Sequence, residues 1–172
     1  VFLRHWMRAD PDGAAKRIAL GSFSDLWRAE GFATLPNKLV FLGHRDEATL
    51  KARLEGVLDE HREFWDDVGE QLASGSVSSV RTADARLRLR RQCGLVANNL
   101  GVALERVGLR ELAFECYARS RVLDPQNVSA LLNRAMSVKQ GVRPELAEQV
   151  GRELQGLREN LPDMRLLWSL AP

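Results

Sequence analysis

The chain has few cysteines, almost no net charge and no long apolar run. It holds only two cysteines among 172 residues, Cys93 and Cys116, so it is not a small domain built on disulfides. Both fall in neighbouring predicted helices, where two buried, reduced thiols are favoured over a bridge. The net charge of +2 argues against a dedicated nucleic-acid binder. The aromatic residues also occupy core-like positions rather than a surface on which bases could stack.

The motifs of common enzymes are missing as well. The sequence contains no His-Glu-x-x-His zinc helix, no Gly-x-Ser-x-Gly nucleophile elbow and no P-loop. His61 lies in the charged run 59–63, but no second histidine stands at ligand spacing, and a half-buried helix residue is the favoured interpretation. His5 and His44 are isolated. We therefore expect no catalytic residue, no bound metal and no cofactor in this chain.

The start of the chain leaves its context open. No stretch is long enough to cross a bilayer, and none has the pattern of a signal peptide. The sequence begins at Val1 rather than methionine, so it is interpreted as a possible fragment of a longer protein. Residues 1–8 mix apolar, aromatic and basic side chains, which suits an interfacial or membrane-proximal segment as well as a first packed helix. A cytoplasmic location is favoured, with a membrane-attached parent as the alternative.

Apolar residues recur at helical spacing through most of the chain and predict an all-α fold. A long amphipathic helix is expected from Asp46 or Thr49 to Ala73, and another from near Thr82, continuing to Val107. The Ser- and Gly-rich stretch 74–79 between them reads as a linker. We predict two parts, an N-terminal helical cap over 1–79 and a helical repeat region over 80–172.

The N-terminal part is harder to interpret. Residues 14–31 suit a helix that stops at Gly31. The short apolar run 38–43 could be extended or a buried helical turn, because periodicity cannot decide so short a segment. At the other end, residues 163–170 resemble the start of another helix or a hydrophobic plug.

Residues 94–127 carry the most specific pattern. Two apolar stripes face each other across a predicted turn, and the small residues Gly101 and Ala113 let two helix backbones approach closely. Gly108 suits the left-handed position that ends a first helix. Pro125 cannot continue the second helix, and it pushes Asp124 out of the α region. The pattern therefore predicts a compact pair of antiparallel helices.

This segment resembles one complete tetratricopeptide repeat, a helix–turn–helix unit of 34 residues. Leu100-Gly101, Ala113, Tyr117 and Asp124-Pro125 stand at the positions typical of the family, whereas Ser120 replaces its usual alanine. An ordinary helical hairpin is the alternative. Residues 128–161 resemble a second, degenerate unit, in which Arg134 stands where leucine is usual. The resemblance implies helix hairpins stacked as a short α-solenoid capped by the N-terminal helices.

The resemblance also implies a partner-binding groove, which the first helix of each unit lines. Carried over by position, the groove residues are Asn98, Val102, Glu105, Arg106, Leu132, Met136 and Lys139. Packing of these positions against another helix of the protein is the alternative. The family's carboxylate-clamp version is not expected, because Val102 stands where it needs asparagine and Asn98 where it needs lysine. The implied partner is a protein or peptide segment.

A cluster of arginines precedes the repeat and allows a second interpretation. On a helix these side chains could form an anionic-surface patch, although pairing with the acidic residues of the preceding helix is favoured. The patch residues are Arg81, Arg86, Arg88, Arg90 and Arg91. The expected function is a protein-interaction scaffold. The alternative is an accessory domain of a larger, membrane-bound enzyme, joined to the membrane through residues 1–8.

Overall fold

A computed structural model describes residues 8–9, 18–19, 29–31, 33–38, 40–44, 47–74 and 83–160. Five α-helices account for nearly all of the described chain after residue 46, which confirms the predicted helical class. They are α1 (Glu47–Ser74), α2 (Ala83–Arg106), α3 (Arg110–Leu123), α4 (Val128–Lys139) and α5 (Ala147–Asn160). A 3-10 turn, Pro144–Leu146, leads into α5.

A small antiparallel sheet precedes the helices. Its strands are β1 (Ile18–Ala19), β2 (Ala33–Asn37) and β3 (Val40–His44), in the order β1-β3-β2. The predicted helix over 14–31 is therefore wrong at Ile18–Ala19, and the cap over 1–79 is not wholly helical. In the apolar run 38–43, residues 40–43 are extended, so the first of its two interpretations is correct for them. Both segments are extended because they pair with other strands, and the periodicity of so short a segment does not show its partner.

The long helix α1 covers the sheet and the later helices with one apolar stripe. Leu54, Leu58, His61 and Trp65 recur every three or four residues and are all at most 2% exposed. Their helix lies against β2, β3 and α2. Three of these side chains, all but His61, join one hydrophobic core with residues of α2 and α3. This core makes α1 an integral part of the described fold rather than a free arm.

Helices α2 and α3 form the hairpin that the sequence predicts. The turn at Gly108 has a φ of 86°, a left-handed conformation that glycine adopts without strain. Where the helices cross, Gly101 lies beneath the ring of the fully buried Tyr117. Ser120 on α3 uses its hydroxyl to donate to the Gly94 carbonyl oxygen of α2 at 2.7 Å. The two helices make the most extensive helix–helix contact in the described chain.

The connections that follow also agree with the sequence signals. Asp124 is extended (φ −131°, ψ 92°) before Pro125, and α3 ends there. The Asn127 side chain accepts the Ala130 N–H at 3.1 Å and so caps the start of α4. Pro144 occupies the first turn of the 3-10 segment before α5, where its missing N–H is tolerated.

The described residues form neither a membrane-spanning helix nor a metal site. No helix among the described residues combines the length and apolar composition that a bilayer crossing requires. Within the same residues, no three His, Cys, Asp or Glu side chains group in a way that could hold a metal ion. Residues 1–7 and 161–172, with the predicted membrane-proximal and plug segments, lie outside the described part of the chain apart from Arg8.

Candidate partner-binding surface

An amide–amide hydrogen bond joins the first helices of the two predicted units. Asn133 Nδ2 on α4 donates to Asn98 Oδ1 on α2 at 2.9 Å. The Asn98 residue is only 5% exposed, so its side chain serves this contact rather than standing open to a partner. The bond connects α2 to α4. The other predicted groove residues lie on these two helices near it.

The other predicted groove residues lie within two turns of this bridge, with graded exposure. Val102, Glu105 and Leu132 are half-buried, whereas Arg106, Met136 and Lys139 are exposed. Met136 is 50% exposed, so its flexible apolar side chain is open to contact. We call Val102, Arg106, Leu132, Met136 and Lys139, together with Leu95, the α2–α4 face.

Leu95 is the member of this face that sequence reasoning missed. Its side chain is 45% exposed. It stands one turn before Asn98 and seven residues before Val102, so it shares their side of α2. This spacing was available in the sequence as a signal. The groove residues that the resemblance implies follow the family's positions, and these positions do not include Leu95.

Beside the α2–α4 face, Glu105 has a hydrogen-bond partner within the protein, whereas two cations of the face have no ionic partner among the described residues. Glu105 accepts the hydroxyl of Tyr117 at 2.6 Å, and burial together with this bond raises the pKa of Tyr117 well above its ordinary value. Arg106 and Lys139 form no ion pair with any described residue. The face therefore presents apolar side chains beside two cations that a partner could contact.

Three arginines of the predicted anionic patch contact other residues of the protein. Arg88 pairs with Asp84 at 2.8 Å, Arg90 Nε donates to the Leu123 carbonyl at 3.0 Å, and Arg91 donates to Gln126 at 3.0 Å. Arg90 thereby satisfies a carbonyl at the C-terminal end of α3, where cations are favoured. Arg86 is half-buried, and Arg81 lies outside the described residues.

The acidic partners expected for these arginines pair elsewhere. On α1, Asp59 contacts Arg62 at 2.8 Å, and Asp66 contacts Arg119 of α3 at 2.6 Å. The expectation that α1 would neutralise the arginine cluster is thus wrong for these two carboxylates. They pair instead with an arginine on their own helix and with one on α3.

A cleft of about 320 Å³ lies between α1 and α3. Leu58, Trp65, Ala118, Val122 and the thiol of Cys116 line it, with Arg62, Glu115 and Arg119. Arg62 and Glu115 bridge the two helices at 2.5 Å. Arg119 pairs with Asp66 outside the lining, so each charged group of the cleft has an ionic partner and the cleft offers a ligand mainly apolar contact.

His61 is fully buried rather than half-buried as expected. Its Nδ1 lies 2.6 Å from the Val57 carbonyl oxygen, and its Nε2 accepts the backbone N–H of Lys38 at 2.7 Å. Both ring nitrogens therefore have protein partners, and neither is available to a metal. Burial lowers the pKa of His61, in spite of opposing effects from the Val57 carbonyl and Glu60.

The two thiols are expected to be chemically inert in the folded chain. Both are buried and free, and burial raises the pKa of Cys93 to about 11 and of Cys116 to about 12. Because the thiolate is the reactive form, we expect both to react with Ellman's reagent at pH 8 on the order of a hundredfold more slowly than in urea. Absorbance of the released thionitrobenzoate measures this. Fast reaction of either thiol in the native chain would contradict the buried positions.

Comparison with known proteins identifies no function for this surface. A scan against protein-family models finds no match for the chain, and searches of curated proteins and of solved structures find none either.

Proposed function

We propose that this chain is a protein-interaction adaptor of the tetratricopeptide-repeat type, with α2–α3 and α4–α5 as its two units. A partner segment binds along the α2–α4 face, and binding is passive recognition without chemistry. The partner is a protein or peptide. In this proposal the sheet and α1 act as the cap that covers the first unit.

One observation carries the proposal: Leu95 and Met136 are exposed one helical turn from the two ends of the Asn98–Asn133 bridge, on helices that also carry two cations without an ionic partner among the described residues. Leu95 and Met136 are 45% and 50% exposed, and Arg106 and Lys139 have no ionic partner among the described residues. Grouped apolar exposure beside polar groups is typical of surfaces that bind other proteins. The arginine cluster supports an anionic-surface function less well, because three of its members already have partners within the chain.

The experiment selects peptides on the intact chain and maps where they bind. Peptides chosen from a random displayed library are titrated by fluorescence anisotropy against the unaltered chain, Leu95→Ser and Met136→Ser. We expect each substitution to raise Kd about tenfold or more, equivalent to about 1.4 kcal/mol of lost apolar contact.

Val122→Ser is the matched control. Val122 on α3 is 65% exposed and apolar but lies on the α1–α3 cleft, not on the α2–α4 face. Its substitution should leave Kd unchanged. If no peptide is selected, or if affinity falls with Val122→Ser and not with the other two, the α2–α4 face is not the binding surface.

A further inference from the structure

His61 connects α1 to the turn between β2 and β3 through a hydrogen bond that exists in only one protonation state. A backbone N–H can only donate and a carbonyl oxygen can only accept. The Lys38 N–H therefore requires an unprotonated Nε2, and the Val57 carbonyl requires the proton on Nδ1. The two partners together hold the ring in its neutral Nδ1–H form.

We propose that His61 is an acid-sensitive latch: the neutral ring holds the β2–β3 turn on α1, and protonation of the ring releases the turn. A protonated imidazole carries N–H groups on both nitrogens. Two N–H groups would then face each other across the 2.7 Å that now separates Nε2 from the Lys38 nitrogen. That arrangement is repulsive, so either the ring or the turn must move.

The turn is the part that moves. The ring is 0% exposed, keeps its Nδ1 bond to Val57, and packs on Trp65 with ring centroids 5.0 Å apart. Lys38, by contrast, is exposed and has a φ of 53°, a conformation uncommon for a residue with a side chain. Release would let Lys38 leave that conformation and would hydrate its N–H.

Burial of the His61 ring sets the direction of the pH dependence. Burial lowers the pKa of His61 below its ordinary 6.5, the Val57 carbonyl and Glu60 raise it, and Lys38 lowers it. On α2 and α3, the buried Cys93, Cys116 and Tyr117 have raised pKa values and stay neutral in acid. The released ring binds a proton more readily than the latched one. The latch is therefore complete above about pH 6.5 and weakens as the pH falls towards the lowered pKa.

Release should stay local. Helix α1 is held separately by Leu54, Leu58 and Trp65 in the hydrophobic core and by two ion pairs to α3, Arg62–Glu115 at 2.5 Å and Arg119–Asp66 at 2.6 Å. None of these contacts includes His61 or Lys38. The β2–β3 turn can thus open while the packing of α1 on α3 persists.

Amide hydrogen exchange of the full chain, followed by NMR between pH 7.5 and 5 and corrected for the intrinsic rate, tests the latch. We expect the opening equilibrium at the Lys38 amide to rise by up to about tenfold per pH unit below 6.5, one proton being linked to opening. Amides of α3 should keep their protection. Unchanged protection at Lys38, or equal loss in α3, would overturn the proposal.

Two substitutions separate the latch from general acid sensitivity. His61→Gln keeps an acceptor that does not titrate, so opening at Lys38 should become independent of pH. His61→Phe keeps a ring without an acceptor, so the turn should be open at every pH. If neither variant folds, the ring nitrogen signals of the unaltered chain decide the matter. Nε2 must be unprotonated at pH 7.5 and must become protonated over the same pH range in which the Lys38 amide opens. Protonation of Nε2 at pH 7.5, or over a different pH range, would contradict the latch.

Discussion

Replacing Gly101 by alanine should destabilise the protein by about 2 kcal/mol or more, by forcing α2 and α3 apart. A Cβ at this position would lie 2.4 and 2.7 Å from two ring carbons of Tyr117 and 3.0 Å from the Ala113 carbonyl oxygen. The ring cannot step aside, because Tyr117 is fully buried and its hydroxyl is bonded to Glu105. Alanine's better helix propensity, about 0.5–1 kcal/mol, offsets only part of the overlap. Urea denaturation followed by circular dichroism measures the change.

Gly151→Ala is the matched control. Gly151 also lies inside a helix, α5, but a Cβ there would meet nothing within 4 Å. We expect a gain in stability of about 0.4–1 kcal/mol, because alanine reduces the freedom of the unfolded chain. Destabilisation by Gly151→Ala as large as that by Gly101→Ala would show that the close helix crossing is not the cause.

Replacing Glu153 by alanine should cost about 2–3 kcal/mol and loosen α5 from the rest of the protein. Glu153 is the carboxylate that two arginines share: Arg134 Nη1 lies 3.1 Å and Arg121 Nη2 3.8 Å from its Oε2. The Arg134 side chain is only 8% exposed and lies over the Phe114 ring, so it cannot turn to water when its partner is removed. Because Glu153 itself is 27% exposed, we place the effect below that of a fully buried pair.

Glu148→Ala separates this effect from the general loss of a carboxylate on α5. Glu148 pairs with Arg152 on the same helix, but both side chains are largely exposed. Its removal should change the free energy of unfolding by no more than about 0.5 kcal/mol. Hydrogen exchange should show faster opening of α5 amides in Glu153→Ala only. Equal effects of the two substitutions would contradict a buried role for Glu153.

The helices were predictable from sequence because their signals are local. The expected long helix from Asp46 to Ala73 is found as Glu47–Ser74, and the one from Thr82 to Val107 as Ala83–Arg106. Apolar residues at a spacing of three or four, with Gly108 and Pro125 as stops, are enough to set these bounds within two residues. No partner element has to be known for such signals to act.

Features that depend on distant contacts were not predictable. The extended conformation of Ile18–Ala19 comes from pairing with Phe41 and Leu42, which lie more than twenty residues later. Arg134 is buried although arginine is usually exposed, because Glu153 on another helix neutralises it. On the α2–α4 face, Asn98 is occupied by Asn133, which lies 35 residues away. Spacing along one helix identified the side of α2 but could not show which of its polar groups were already bonded.

The hydroxyl of Ser120 has a consequence for how this sequence can change. It donates to the Gly94 carbonyl and accepts from Asn127 Nδ2, while Asn127 Oδ1 caps α4. Alanine at position 120 would leave the half-buried amide of Asn127 without its acceptor. Replacement of Ser120 is therefore accessible only along a path that also alters residue 127. Ser120 and Asn127 should be inherited or replaced together, although seven positions separate them in the chain.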